Sequence, residues 1–347
     1  MPYGNDVTVF VEDNTGDLGG PPTGGKPFWL SPDIDIPAHS GQAVQGSNDV
    51  QIRVHTHEEP IIEEKVTAEV YVGNPSLVMS PSMNTKRIDP GNLVFRPPNV
   101  AGTEPVANDA GATLTFPWTP SSSGAAVDGP GHRCLVLRAF PVSVTPPGSP
   151  FDVPNEQHEA QHNIEILTTT TAKSMMSSGG AGVPGDPRKR DKDTGLWWEK
   201  LDTMAATRRG TRHVVVAFDP EPSQVIVDIV RRAQKGQRFR GFAKDGPAEI
   251  SLEPLKARGA RVSPAQLVKD RAFATAAGVG RGLFGRQRML TALSLELGPR
   301  TVSGVLMRFD HSNLQKRTAL VLHVVQWDAQ GKPEGGMTVI ALAPTDP

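Results

Sequence analysis

From Phe28 onward the apolar residues come in short runs of period two, each closed by Gly, Pro, Asn or Asp. In VQIRVHTH, Val50, Ile52 and Val54 alternate with Gln51, Arg53 and His55, which predicts a strand with one apolar and one polar face. The following run returns with Val66, Ala68, Val70 and Val72 in step. FWLSPDIDIP, ATLTFPW, HRCLVLRAF and NIEILTTTT bring the expected strands of the first half to six or seven. The second half repeats the pattern in HVVVAFDP, SQVIVDIVRRA, FRGFAKD, AEISLEP, MLTALSLEL, VSGVLMRFD, ALVLHVVQWDA and GGMTVIALAP. One segment departs from it. In SPAQLVKDRAFATAAGV, residues 263–279, Ser263 and Pro264 suit a helix start and Leu267, Phe273 and Ala274 share an apolar side, predicting a short helix.

The expected class is therefore mainly β, with two β-sandwich domains and one short helix in the second. A chain of 347 residues suits two cores rather than one. Its 35 glycines and 32 prolines place turns too densely for long helices. Residues 168–195 are polar, rich in Gly, Ser and Pro, and free of periodicity, so the expected boundaries are an arm or edge strand at 1–27, a sandwich at 28–170, a linker at 171–195 and a second sandwich-like domain at 196–347.

Charge divides at the same place. Residues 1–187 hold 9 basic and 21 acidic side chains and residues 188–347 hold 27 and 16, so the halves carry −12 and +11. Opposite halves point to charged partners or to an acidic region meeting a basic one. The single cysteine, Cys134, lies in the apolar run CLVL and reads as a small buried hydrophobe. The first residues lack the basic flank and apolar stretch of a signal peptide, and no stretch is apolar for long enough to span a membrane.

Four motifs invite a chemical reading. HEAQH, residues 158–162, has the spacing of a zinc hydrolase, with His158 and His162 as ligands and Glu159 as general base, but this needs a helix. Pro150, Asp152, Pro154 and Asn155 before it favour a turn, and NIEILTTTT after it favours a strand. HTHEE places His55 and His57 two apart, on one face of a strand, with Glu59 beyond; whether His55, His57, His158 and His162 converge on a metal is open. GRGLFG, residues 280–285, matches a dinucleotide fingerprint in letters, yet follows an expected helix and precedes a strand, the reverse of what phosphate binding requires. RRAQKGQRFRGFAK, residues 231–244, interleaves Arg231, Arg232, Arg238 and Arg240 with Phe239 and Phe242, as a polyanion-binding surface would. Trp197 and Trp198 adjoin in a polar setting, where an extended chain turns one of them away from any single core.

WLSPDI at 29–34, GHRCLVLRAF at 131–140 and EAQHNIEI at 159–166 resemble the first, penultimate and last strands of bacterial immunoglobulin-like domains of the cell-adhesion-related kind. LHVVQWDAQGKPEGGMTVIAL, residues 322–342, is similar to the closing hairpin of such domains. The resemblance covers most of 28–168 and about the last 55 residues, and it implies two immunoglobulin-like sandwiches in a non-catalytic module of adhesion, spacing or assembly at a cell surface. The expected function is a structural or interaction protein that self-associates or binds another protein. No catalytic residue, cofactor or metal is expected, and Trp197, Trp198, Arg231, Arg232, Arg238 and Arg240 are the expected interface. A zinc hydrolase using HEAQH and a nucleic-acid or polyanion binder using the basic half are the alternatives.

Overall fold

The structure is a computed structural model. It describes residues 9–14, 17, 27–37, 46–56, 66–74, 76–89, 93–95, 112–122, 126–129, 133–146, 150–167, 196–205, 209–233, 239–254, 288–310, 314–315, 317–343. The protein is mostly β, and the chain divides into two compact units: residues 1–74 with 79–163, and 75–78 with 164–347.

The first unit contains β1 (Val9–Phe10), β2 (Ile34–Asp35), β3 (Asn48–Thr56), β4 (Val66–Gly73), β5 (Thr85–Arg87), β6 (Leu93–Phe95), β7 (Ala112–Trp118), β8 (Cys134–Pro141) and β9 (Glu159–His162). In one sheet β3 pairs antiparallel with β7 from Asn48↔Trp118 to Val54↔Ala112, and with β2 and β1 at Ile34↔Ile52 and Phe10↔His55. In the other, β4 pairs with β5, β6 and β8, and β8 pairs with β9. The alternation seen in the sequence is the core: Val50, Ile52 and Val54 meet Val66, Ala68, Val70, Val72, Leu135, Leu137 and Ala139. Each fully buried valine, isoleucine or leucine among them contributes on the order of 1.5–3 kcal/mol before chain entropy is subtracted.

The fold begins earlier than Phe28. Val9 and Val11 are buried in this same core, since VTVFV carries its own period of two. The Val11 N–H donates to the Gln157 carbonyl at 2.9 Å and Gln157 Nε2 donates to the Val9 carbonyl at 3.1 Å, closing the strand from its second side.

The second unit contains β10 (Ile164–Leu167), β11 (Leu196–Ala205), β12 (Gly210–Phe218), α1 (Gln224–Ala233), β13 (Gly241–Phe242), β14 (Ile250–Pro254), β15 (Arg288–Leu297), β16 (Thr301–Asp310), β17 (Thr318–Asp328) and β18 (Pro333–Leu342). One sheet runs β10-β18-β17-β12-β15, with β13 joined to β17, and the other runs β11-β16-β14. Every second residue points inward: Val214, Val216 and Phe218, then Val305, Met307 and Phe309, Leu320, Leu322 and Val324, Met337, Val339 and Ala341. The expected closing hairpin is β17 with β18, turned where Asp328 Oδ1 accepts the N–H groups of Gln330 and Lys332 at 2.9 and 2.8 Å and Gly331 takes φ 78°.

Three sequence expectations change. EAQHNIEI, read as one closing strand, divides at Asn163: β9 pairs with β8 in the first unit, whereas β10 runs parallel to β18 in the second, from Ile164↔Thr338 to Leu167↔Ala341. SQVIVDIVRRA, read as a strand for its β-branched residues, forms α1, because Ile226, Ile229 and Val230 fall at i, i+3 and i+4 and are buried together. Leu77, from the short segment 75–78, belongs to the second core rather than the first. The helix expected at 263–279, GRGLFG and the linker 171–195 lie outside the described residues.

Candidate functional site

HEAQH lies on a turn and a strand, as its flanks predicted: His158 stands in the turn before β9, and Glu159 to His162 are β9 itself. The helical face on which two histidines four apart would share one zinc ion is not formed. Each side chain is used locally. His158 Nδ1 meets Glu156 Oε1 at 2.7 Å, Glu159 Oε2 accepts the Asp152 N–H at 2.6 Å, and His162 Nδ1 lies 3.2 Å from the Ser31 carbonyl oxygen.

His55 finds partners that the sequence did not offer; His57 and Glu59 lie outside the described residues. Register places Phe10 of β1 opposite His55 of β3, and the two rings stack at 5.0 Å and 21°. His55 Nε2 lies 3.0 Å from Asp33 Oδ1 and 2.9 Å from Asp33 Oδ2, and the Glu12 N–H donates to Asp33 Oδ2 at 2.7 Å. The Asp33 N–H in turn donates to Ser31 Oγ. The ligand-type atoms of Glu12, Asp33 and His55 all fall within 4.8 Å of one another.

Beside this trio the chain turns through Asp13 and Asn14. The Asp13 N–H donates to Asp17 Oδ2 at 3.1 Å and the Asp17 N–H to the Asn14 carbonyl at 3.0 Å. Asp13 is 3% exposed and Asn14 5%, yet among the described residues Asp13 Oδ1 and both polar atoms of the Asn14 amide have no hydrogen-bond partner. Burial above all, and then the neighbouring carboxylates of Asp17, Glu159 and Asp33, hold the Asp13 carboxyl well above the usual range. Glu12 is raised by burial and by Asp33, with His55 drawing it partly back. The result is a cluster of Glu12, Asp33 and His55 drawn from three chain segments, followed along the chain by the buried turn of Asp13 and Asn14. Its N-terminal members were missed because 1–27 read as an arm or edge strand with no part in a site; the signal was VTVFVEDNTGD, a strand of period two ending in an acidic turn.

Two other buried polar groupings hold structure rather than face a ligand. His323, at 0% exposure, bridges Asp219 and Thr338, with Nε2 at 2.9 Å from Asp219 Oδ2 and Nδ1 at 2.9 Å from Thr338 Oγ1. This has the composition of a catalytic relay, but a hydroxyl sealed in a core meets no substrate. In the first unit Glu69 accepts from Arg138, Tyr71 and Arg87, while the Arg138 guanidinium lies 5.4, 5.8 and 5.6 Å from the rings of Tyr71, Phe140 and Phe151.

The expected interface residues separate. Trp197 and Trp198 stand on β11, in register with Phe309 and Arg308 of β16. β11 pairs with β16 along all ten of its residues, and among the described residues no strand pairs with its other edge. Arg231 and Arg232 occupy the exposed last turn of α1, where cations suit the helix C-terminus. Arg240 is exposed next to β13, and Arg238 lies outside the described residues. Phe239 and Phe242 close on each other edge to face at 5.1 Å. Among the described residues no helix is long and apolar enough to cross a membrane.

No protein-family model matches the chain, and no curated protein does. Among solved structures it is similar to the collagen adhesin of S. aureus, with 8% identity, 86% of this chain and 88% of that one covered, and a TM-score of 0.20. A putative membrane anchored protein from Corynebacterium diphtheriae gives 10%, 90%, 59% and 0.18. The CFA/I enterotoxigenic E. coli adhesin CfaE, in a mutant form, gives 8%, 100%, 90% and 0.20. Likenesses at this level say nothing of what this chain binds.

Proposed function

We propose that this protein is a non-catalytic interaction module that assembles with copies of itself through the free edge of β11. The observation that carries the reading is a ten-residue strand, hydrogen-bonded on one side only among the described residues, that bears both Trp197 and Trp198. An edge of that length offers a row of backbone donors and acceptors to a second strand, and tryptophan supplies contact area at small entropic cost. The charges of −12 and +11 on the two halves orient one copy against the next. A cell-surface setting, implied by the resemblance to adhesion-related modules, belongs to the same proposal.

Sedimentation of the full chain across protein concentration and salt, with electron microscopy of the same samples, tests it. The expected result is a concentration-dependent oligomer that persists at high salt, where strand pairing survives and exposed charge pairs are screened. Trp197→Ala or Trp198→Ala, each checked by circular dichroism, is expected to weaken association by about tenfold or more. A monomer at tens of micromolar in low salt, unchanged by either substitution, overturns the reading.

A further inference from the structure

Glu12, Asp33 and His55 come from three segments that meet on β3. Glu12 follows β1, which pairs at Phe10↔His55; Asp33 precedes β2, which pairs at Ile34↔Ile52; His55 belongs to β3 itself. Each offers one ligand-type atom, and the three atoms lie within 4.8 Å of one another. His55 and Asp33 are each 2% exposed, and His55 Nε2 stands 3.0 and 2.9 Å from the two carboxylate oxygens. Two atoms bound to one zinc ion at about 2.0–2.2 Å stand roughly 2.8–3.6 Å apart, so imidazole and carboxylate already hold that spacing. Neither swings freely, because the His55 ring stacks on Phe10 and Asp33 Oδ2 accepts the Glu12 N–H at 2.7 Å. Independently, the pairing of His55 with Asp33 leaves the Glu12 carboxylate over. Among the described residues no hydrogen bond reaches that carboxylate, and burial and Asp33 both raise it. Arg53, which draws it partly back, is exposed and donates to Thr113 Oγ1 at 3.4 Å. One imidazole, even protonated, balances only one of two carboxylates, and the excess favours a cation.

We propose that Glu12, Asp33 and His55 form a zinc site, with His55 Nε2 and one oxygen of each carboxylate as ligands and solvent on the half-buried Glu12 side. The donors select the ion. An imidazole nitrogen beside two carboxylates suits a borderline divalent metal, whereas calcium and magnesium take oxygens alone. Within the first transition row zinc binds a given donor set more tightly than manganese or iron. Phe10 and the Glu12 N–H hold the two buried ligands in place, the task of the outer partners in metal sites. HEAQH has no part in it, since His158 meets Glu156 and His162 faces the Ser31 carbonyl. Because its ligands come from three segments, the ion ties the end of β1 and the approach to β2 onto β3, and so locks the N-terminal strand to the first unit.

The test uses the full chain, stripped with chelator and titrated calorimetrically with zinc chloride, with thermal melts and hydrogen exchange on the same samples. One equivalent of zinc is expected, with a dissociation constant on the order of micromolar, weaker than a closed four-ligand site. Manganese is expected to bind at least about tenfold more weakly, and calcium and magnesium more weakly still. Zinc should raise the melting point and slow exchange at the Val11 and Glu12 amides, which a histidine elsewhere on the surface would not do. Glu12→Gln, at the half-buried ligand, keeps the fold and is expected to weaken zinc binding by about tenfold or more. His55→Gln, checked by circular dichroism, is expected to weaken it by about 100-fold. His158→Gln, and Asp49→Asn at an exposed position of β3, leave the affinity as it is. Absence of zinc binding by the wild-type chain, wild-type affinity in Glu12→Gln, affinity lost in folded His158→Gln, or calcium bound more tightly than zinc would each overturn the proposal. Self-association is read separately, so the failure of one reading does not imply that of the other.

Discussion

A β-carbon added to Gly335 would collide with the backbone carbonyl of Leu77. The segment 75–78 therefore rests directly on the backbone of β18, and only glycine permits that approach. Gly335→Ala is expected to destabilise the second unit by about 2–4 kcal/mol, since backbone must move and the buried Leu77 loses its seat. Denaturant titration measures the loss, and hydrogen exchange should locate it in β17 and β18 while β4 and β8 keep their protection.

The buried Asp13 makes stability depend on pH in a stated direction. Its carboxyl titrates higher in the folded chain than in the unfolded one, so the folded state binds more protons in that interval. Stability should fall as pH rises from about 3.8, the unfolded value, through the raised folded value, and stay low above it. Glu12 acts in the same direction. Asp13→Asn should flatten this slope and make the protein more stable at alkaline pH by roughly 1–3 kcal/mol. Melts at several pH values, wild type against Asp13→Asn, check both halves.

Arg138 and Glu69 form a buried pair ringed by three aromatic side chains. Removing only the cation, as in Arg138→Met, is expected to cost about 3–5 kcal/mol because Glu69 loses its most buried partner. Burial, ahead of Glu69, pushes the Tyr71 hydroxyl up to about 12. The folded state then keeps a proton that the unfolded chain releases near 10, so this contribution to stability falls as pH rises from 10 toward 12. Phenolate absorbance, wild type against Tyr71→Phe, reads the titration directly.

Cleavage within 171–195, at Arg188, Lys189 or Arg190, is the fourth prediction. The N-terminal fragment would carry two pieces of the second unit, residues 75–78 and β10, with Leu77 buried in that unit's core. The fragments are expected to co-elute in native buffer and to separate in denaturant. Separation in native buffer would contradict the pairing of β10 with β18.

What could be read from the sequence was the local period. Val50, Ile52 and Val54, or Leu320, Leu322 and Val324, announce their inward face because a strand repeats every two residues whatever its neighbours are. Partners are another matter. Nothing in NIEIL tells that Ile164 will lie beside Thr338, more than a hundred residues on. In α1 the β-branched residues favoured a strand, and tertiary burial of Ile226, Ile229 and Val230 decided for a helix. His55 was visible as a candidate ligand, but Glu12 and Asp33 reach it only through the pairing of β1 with β3 and the turn before β2.

The parallel pairing of β10 with β18 also sets an order of events during synthesis. β10 leaves the ribosome long before its neighbour exists, and at elongation rates of about 5–20 residues per second the wait is on the order of 10–30 s. The first unit has all its strands by His162 and is free to fold in that interval. Segment 75–78 must be held out while it does so, then taken up when Gly335 arrives. The nascent chain thus carries β10 unpaired while every later strand up to β18 is made, and truncation anywhere before β18 leaves the second unit without the strand that receives both earlier segments.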